Sequence, residues 1–213
     1  KKDSIREVKH SLGYHKAQAN PSMNTEHQHR KKGGRPISLN SYETVRLERP
    51  QAGENIEITV KSGVIRIAGN QSNNAKDITL AFACRADAFK FHYPEDLEIA
   101  IEAITDTTYI VESIGKKRCD TGDAIMEWII QLHIVRNETN LENRLIKFFR
   151  LLITRLGKRT PEGILLEHTL PHARIAEIIG STRSTVSRTI SALRKSQQIY
   201  IDELKGHIIL PVD

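Results

Sequence analysis

The sequence predicts an α+β chain, with an antiparallel β sandwich or barrel in its first half, then a long apolar helix, then a compact helical module. Three observations lead there. From about Tyr42 to Ile114 short apolar runs alternate with polar residues at period two, and after Asp120 the apolar spacing changes to three and four. Near residue 180 a glycine separates two short helices that each carry one apolar face. With 213 residues, 38 % of them hydrophobic, the chain can bury one large core or two modest ones.

Residues 1–36 are polar and punctuated by Asn20-Pro21, Gly33-Gly34 and Pro36, the composition of a weakly structured arm with a short helix near its start. His27 and His29 read as a mobile, unliganded pair, having no further ligand nearby. In the alternating region, Ile56, Ile58 and Val60 precede the turn Lys61-Ser62-Gly63, and Val64, Ile65 and Ile67 follow it. Ile78, Leu80 and Phe82 come after the turn-rich 69–74. Ile99 to Ile104 and Tyr109 to Val111 flank Asp106-Thr107-Thr108. Short strands joined by turns indicate antiparallel pairing.

Behind Thr121-Gly122-Asp123, a helix start, Ile125, Trp128, Ile129, Leu132 and Val135 recur at helical spacing over a helix expected from Thr121 to Asn140. Met126, Ile130 and Ile134 widen the stripe until little of the helix is polar. Such a helix is expected to be buried on more than one side, covering its own domain and meeting the same helix of a second copy. The next helix, Leu141 to Leu156, turns Leu145, Phe148, Phe149, Leu152 and Leu156 inward and Arg144, Lys147, Arg150 and Arg155 outward, and ends at Gly157.

Pro171 then opens a short helix through Ile179 with Ile175, Ile178 and Ile179 facing a core, and Gly180 supplies a turn. Thr182 serves as N-cap of a second helix, over 182–195, held by Val186, Ile190 and Leu193 at i, i+4, i+7. Its opposite face carries Arg183, Ser184, Ser187, Arg188 and Ser191. Small residues between arginines let a helix backbone approach base edges while the long side chains reach guanine or phosphate. Ile199 to Ile201 and His207 to Leu210 add a two-stranded hairpin, so the module reads as a winged helix-turn-helix.

The run LPHARIAEIIGSTRSTVSRTISALRKSQQI with its hairpin resembles the DNA-binding domain of the cyclic-AMP receptor/FNR superfamily of bacterial transcription regulators, whose pattern is close to L-x-x-x-x-I-A-x-x-x-G-x-T-R-x-T-V-S-R. Upstream, VKSGVIRIAG, ITLAFACRADAF and IAIEAITDTTYIV resemble strands of that family's effector-binding jelly roll, and TGDAIMEWIIQLHIVRN stands where its dimerisation helix does. The resemblance spans about residues 42–210. It implies a basic flexible arm over 1–40, a degenerate cyclic-nucleotide-binding-like β jelly roll over 41–118, a dimerisation helix over 119–140 with a seam of Ile125, Trp128, Ile129, Leu132 and Val135, and a winged helix-turn-helix over 141–213.

It also implies a DNA-contacting set of Thr182, Arg183, Ser184, Thr185, Ser187, Arg188 and Ser191, joined by His172 at the start of the preceding helix. Many relatives place a cytosine-reading glutamate directly after the first arginine and bind TGTGA half-sites. Here that position is Ser184, which resembles the global nitrogen regulator branch and its GTA-type half-sites. The loop 157–163 matches the family's surface for RNA polymerase in activators, and a plain connector is an equal reading. In the sensor half, Ala88-Phe89-Lys90-Phe91 replaces the glycine and glutamate of the family's nucleotide cassette, and Pro94 to Glu98 offers carboxylates and no arginine. A cyclic phosphate is disfavoured there. Lys90 reads as a solvated lysine, and whether another effector binds stays open.

Charge agrees with a polyanionic partner. Nine Lys and Arg face three Asp and Glu over residues 1–36, eleven face sixteen over 37–140, and twelve face seven over 141–213. A basic module carried by an acidic one suits double-stranded DNA, where each neutralised phosphate releases counterions. Lys31 to Pro36 resembles the Arg-Gly-Arg-Pro core of AT-hooks with its first arginine replaced by glycine, and a solvated tail is the ordinary alternative.

Cys84 and Cys119 show no metal or disulfide spacing, so no cofactor, iron–sulfur cluster or metal is expected. No stretch is long enough for a membrane span and no basic-then-apolar leader opens the chain, so a cytoplasmic protein is expected. Lys1 in place of methionine points to a start further upstream. No phosphate loop, nucleophile elbow or catalytic acid pair supports an enzyme. The expectation is a homodimeric transcription regulator reading a near-palindromic operator without cyclic nucleotide. The alternative is a ligand sensor or interaction module whose winged helix contacts protein.

Overall fold

In the computed structural model, residues 5–7, 34–51, 54–71, 77–85, 88–115, 122–160, 163–202 and 207–209 are described. The first half holds nine strands, β1 (Ile5–Glu7), β2 (Ile37–Leu39), β3 (Thr44–Arg46), β4 (Asn55–Ser62), β5 (Val64–Asn70), β6 (Ile78–Cys84), β7 (Ala88–His92), β8 (Glu98–Ala103) and β9 (Thr107–Gly115). They form two sheets, ordered β1-β3-β8-β5-β6 and β2-β9-β4-β7. All pairings are antiparallel except β1 with β3. The expected sandwich is present because the period-two runs each supply an inward apolar row. Ile56, Ile58 and Val60 of β4, Ile65 and Ile67 of β5, and Ile99 and Ile101 of β8 are all buried. Gly63 makes the β4–β5 turn with φ of +77°, a conformation that costs other residues.

Two boundaries differ from expectation. Residues 5–7 are a strand rather than part of a helix, and residues from Ile37 onward belong to the sandwich instead of an arm reaching to residue 40. Gly34 already donates its backbone N–H to Glu112 Oε1 at 3.0 Å. The rest of the arm, including His27, His29 and Lys31-Lys32, lies outside the described residues, as does Cys119.

Helix α1 (Ala124–Arg136) begins at Asp123, whose side chain accepts from the Met126 N–H at 3.0 Å and from the His92 N–H at 2.9 Å, tying the end of β7 to the helix start. It stops at Asn137, short of the expected Asn140, because Asn137 turns its side-chain amide onto the His133 carbonyl at 3.0 Å. Asn140 caps α2 (Leu141–Leu156) by accepting from the Glu142 and Asn143 N–H groups. The segment between the helices is fixed by Arg144, which donates to the Glu138 carbonyl from Nε at 2.9 Å and Nη2 at 2.6 Å, and to the Ile179 carbonyl from Nη1 at 2.9 Å. Arg144 is therefore half-buried rather than outward.

After α2 come β10 (Lys158–Thr160) and β11 (Gly163–Leu166), then α3 (His172–Ile179), α4 (Arg183–Lys195), β12 (Tyr200–Asp202) and β13 (His207–Ile209). The expected two-stranded wing is half of a four-stranded sheet, β10-β11-β13-β12. The stretch around residue 160, expected as a loop, contributes its other half. Alternation was too brief there to register, since β10 has only three residues and Pro161-Glu162 interrupts the pair.

His168 is buried between this sheet and the helices, and its Nε2 finds no hydrogen-bond partner. Burial pulls its pKa down to about 4, opposed by the charge of Glu167. The unfolded chain binds this proton near pH 6.5 and the folded one only near 4. The neutral histidine thus adds full stability above about 6.5, and it is lost as pH falls toward 4, by up to about 3 kcal/mol at 1.36 kcal/mol per pKa unit. Urea unfolding between pH 7.5 and 4.5 checks this, with a shallower acid loss expected for His168→Leu.

Candidate nucleic-acid interface

Helix α4 owes its position to one apolar row. Val186, Ile190 and Leu193 are buried against the α2–α3 core, each worth roughly 1.5–3 kcal/mol of transfer free energy. Its start is set by Thr182, whose Oγ1 accepts from the Thr185 N–H at 3.2 Å and lies 2.8 Å from the Thr185 hydroxyl and 3.1 Å from that of Ser184. Gly180, at φ of +71°, makes the turn between α3 and α4. The space where its Cβ would stand is filled by the Arg136 guanidinium at the end of α1, at 3.0 Å.

With the apolar row turned inward, Arg183, Ser184, Arg188 and Ser191 are exposed, Thr182 is exposed at the cap, and Thr185 and Ser187 are half-buried at the margin. His172, half-buried, stands at the first position of α3. Lys195 extends the open face into the last turn. The Ser191 hydroxyl donates to the Ser187 carbonyl at 3.0 Å, and that of Thr189 to the Thr185 carbonyl at 2.9 Å, so these groups present acceptor lone pairs outward. Neither Arg183 nor Arg188 makes a hydrogen bond or ion pair with a described residue. The surface is a thirteen-residue ridge about 20 Å long, with two unneutralised guanidinium groups separated by small side chains.

The residues expected to form a seam with a second copy fall differently. Ile125, Trp128 and Val135 are buried in their own chain, and Trp128 meets Phe82 of β6 edge to face at 5.6 Å between ring centres. Leu132 is half-buried, and Ile129 is only partly open beside a cleft. The stripe was correctly apolar, but β6, β7 and α2 already occupy it. What α1 leaves to solvent is its other flank, Met126, Ile130 and Ile134, which are 55, 50 and 53 % exposed.

In the sensor half, Phe89 and Phe91 point into the sandwich core, and Lys90 faces Glu57 at 3.8 Å. The 94–98 segment does have arginines, which strand pairing brings from β3 and its exit. Arg49 donates to the Glu95 and Leu97 carbonyls and lies over the Tyr93 ring, and Arg46 pairs with Glu98 at 3.1 Å. Both are engaged in holding this turn. Among the described residues, no three His, Cys, Asp or Glu side chains converge as a metal site, and no helix is long and apolar enough to cross a membrane.

Sequence reading missed Arg174 of α3. In place of facing solvent with α4's arginines, it turns to the sandwich and meets Asp77 and Glu102.

Residues 143–211 match the Crp-like helix-turn-helix domain family. The chain carries a Crp-like helix-turn-helix on a Crp/FNR architecture. A global nitrogen regulator of Synechococcus elongatus is 38 % identical over 73 residues, 34 % of this chain and 33 % of that protein. A probable transcriptional activator of Rhizobium leguminosarum is 26 % identical over 136 residues, 64 % of this chain and 54 % of that protein. These matches span from about a third to a half of the relatives' length. Among solved structures, FixK2 from Bradyrhizobium japonicum has a TM-score of 0.62 at 17 % identity, covering 84 % of this chain and 92 % of that one. CooA from Carboxydothermus hydrogenoformans has a TM-score of 0.57 at 23 % identity, covering 83 % of each. At those identities the likeness is one of fold.

Replacing Gly180 by alanine strains a left-handed backbone and pushes on Arg136, at an expected cost of about 1–2 kcal/mol. Gly180→Asn, which tolerates that conformation better, is expected to lose less. Thermal melting of the two variants measures the difference.

Proposed function

We propose that the chain is a homodimeric, sequence-specific DNA-binding transcription regulator that reads a near-palindromic operator through α4 without needing a cyclic nucleotide. The observation that carries this reading is the open face of α4, with Arg183 and Arg188 exposed, unpaired and separated by Ser184 and Ser187, on a helix whose other face is locked into a Crp-like module. A groove-seated helix needs this disposition, since its arginines reach guanine edges or phosphates once the backbone is close. Thr182, Thr185, Ser191 and His172 lie where phosphate or secondary base contacts would form.

The similarity to the nitrogen regulators falls on this module. Together with serine at position 184, it favours GTA-type half-sites. The likeness to a probable transcriptional activator supports activation, with the β10–β11 hairpin as the surface offered to RNA polymerase. The apolar residues Phe89, Phe91 and Phe82 fill the interior near the former nucleotide cassette, and its arginines are already engaged, which supports independence from cyclic nucleotide.

Dimerisation is assigned to the outer flank of α1. Two such flanks, brought together, would bury Met126, Ile130 and Ile134, and would set the two α4 helices roughly one helical turn, about 34 Å, apart.

Selection from a random duplex pool is expected to return a two-fold site. Arg188→Ala should weaken its binding by about 1–3 kcal/mol and relax preference at one position per half-site. Failure to enrich any sequence would favour the alternative of a protein-contacting module. Ile130→Glu should give a folded monomer by sedimentation, because the side chain is exposed in the single chain, and should weaken operator binding with it.

A further inference from the structure

The strand β5 carries a guanidinium that is 1 % exposed, that of Arg66. A buried charge persists only when it is paired and hydrogen-bonded. Arg66 bonds Asp77, Glu102 and the Thr79 hydroxyl, so its own sheet supplies two carboxylates for one cation. That leaves an excess of negative charge on the outer face of the sandwich. Arg174 of α3 meets it, with Nη1 3.3 Å from Asp77 Oδ1 and Nη2 3.3 Å from Glu102 Oε2, while Nη1 also lies 2.8 Å from Glu177 Oε2 on its own helix. Burial disfavours the Arg174 charge, but Glu102, Asp77 and Glu177 outweigh it and raise its pKa.

Packing alone does not close this junction. A cleft of about 350 Å³ lies between β6, α1 and α3, lined by Leu80, Ile129, Leu132 and Ile178 with Ile78 at its edge. Where apolar side chains fail to meet, directional contacts must hold α3 in place. Arg174 supplies them, and the stacking of Arg136 on Gly180 is the second tether between α1 and the module.

We propose that Arg174 is a positioning residue for DNA binding: its bridge to Asp77 and Glu102 fixes the rotation of the helix-turn-helix against the sandwich, and so the direction in which Arg183 and Arg188 face. The latched arrangement is the binding-competent one, because in it the open face of α4 is unobstructed. The bidentate fork matters, since a single ammonium fixes distance but not rotation. The functional half of this inference rests on the DNA-binding reading above. The structural half does not.

The test uses the full chain as Arg174→Met, Arg174→Lys and Glu177→Gln. Two measurements are made, affinity for the selected operator and, without DNA, the distance distribution between spin labels at exposed Lys61 and Ser191. Arg174→Met should broaden the distribution and lower affinity roughly tenfold, as a freed module must be ordered on binding. Arg174→Lys should fall between it and the parent. Glu177→Gln, which leaves both sandwich contacts in place, should change neither, and melting curves confirm that each variant folds. An unchanged distribution in Arg174→Met overturns the latch. A broadened one with unchanged affinity overturns the positioning role. Absence of DNA binding by the parent chain defeats the DNA reading instead and leaves the distance measurement to judge the latch alone.

Discussion

Arg66 sets the terms for how the two halves of this molecule meet. A guanidinium in the middle of a five-stranded sheet, almost wholly removed from water, demands anions, and β6 and β8 provide them in Asp77 and Glu102. Asp77 feels burial, which works against its charged form, yet the charges of Arg66 and Arg174 hold its carboxyl below the usual range. Once that polar cluster exists, the outer face of β5 cannot be covered by an ordinary apolar helix. It requires one bearing a cation at the right turn, and α3 brings Arg174.

Helix α1 is the second shared element, because it is apolar nearly all round and three different surroundings divide it. Ile125, Trp128 and Val135 close the sandwich and the module beneath it, with Arg155 of α2 lying over the Trp128 ring at 5.8 Å. Ile129, Leu132 and His133 look into the cleft beside α3. Met126, Ile130 and Ile134 remain open, a row of large apolar side chains along one flank of a short helix. A sequence with no polar face is thus explained without surplus: each stripe has a neighbour or awaits one.

Much of this was legible in the sequence, for identifiable reasons. Period-two runs located β4, β5, β6, β8 and β9, since each presents an apolar row to one core. Gly180 and the Val186, Ile190, Leu193 row located α3 and α4, whose packing is local. What local pattern omits is the covering of a face by something distant. Alternation puts Arg66 on the side of β5 away from the core but does not say that α3 will cover that side. Arg144 read as outward because its partners, the Glu138 and Ile179 carbonyls, are backbone atoms without a sequence signature. Trp128 read as part of an intermolecular seam because an apolar stripe does not announce which neighbour takes it. The strands β2, β3 and β10 were too short, at three residues each, to show a period.

The arginines of this chain then sort by what they touch. Arg46, Arg49, Arg66, Arg144, Arg155 and Arg174 are each bound to carboxylates, carbonyls or a ring, and each joins elements that the backbone alone would leave loosely related. Arg183 and Arg188 join nothing. A folded chain gains little by leaving guanidinium groups unpaired on a rigid helix whose every other exposed neighbour is small, where an acidic side chain at i+4 would add helix stability of its own. No acidic residue occurs between Arg183 and Lys195. The absence of any internal partner, beside a row of arginines that all have one, is what marks this face as built for an anion from outside, and the spacing of the two along a 20 Å ridge suits phosphates and base edges better than scattered carboxylates.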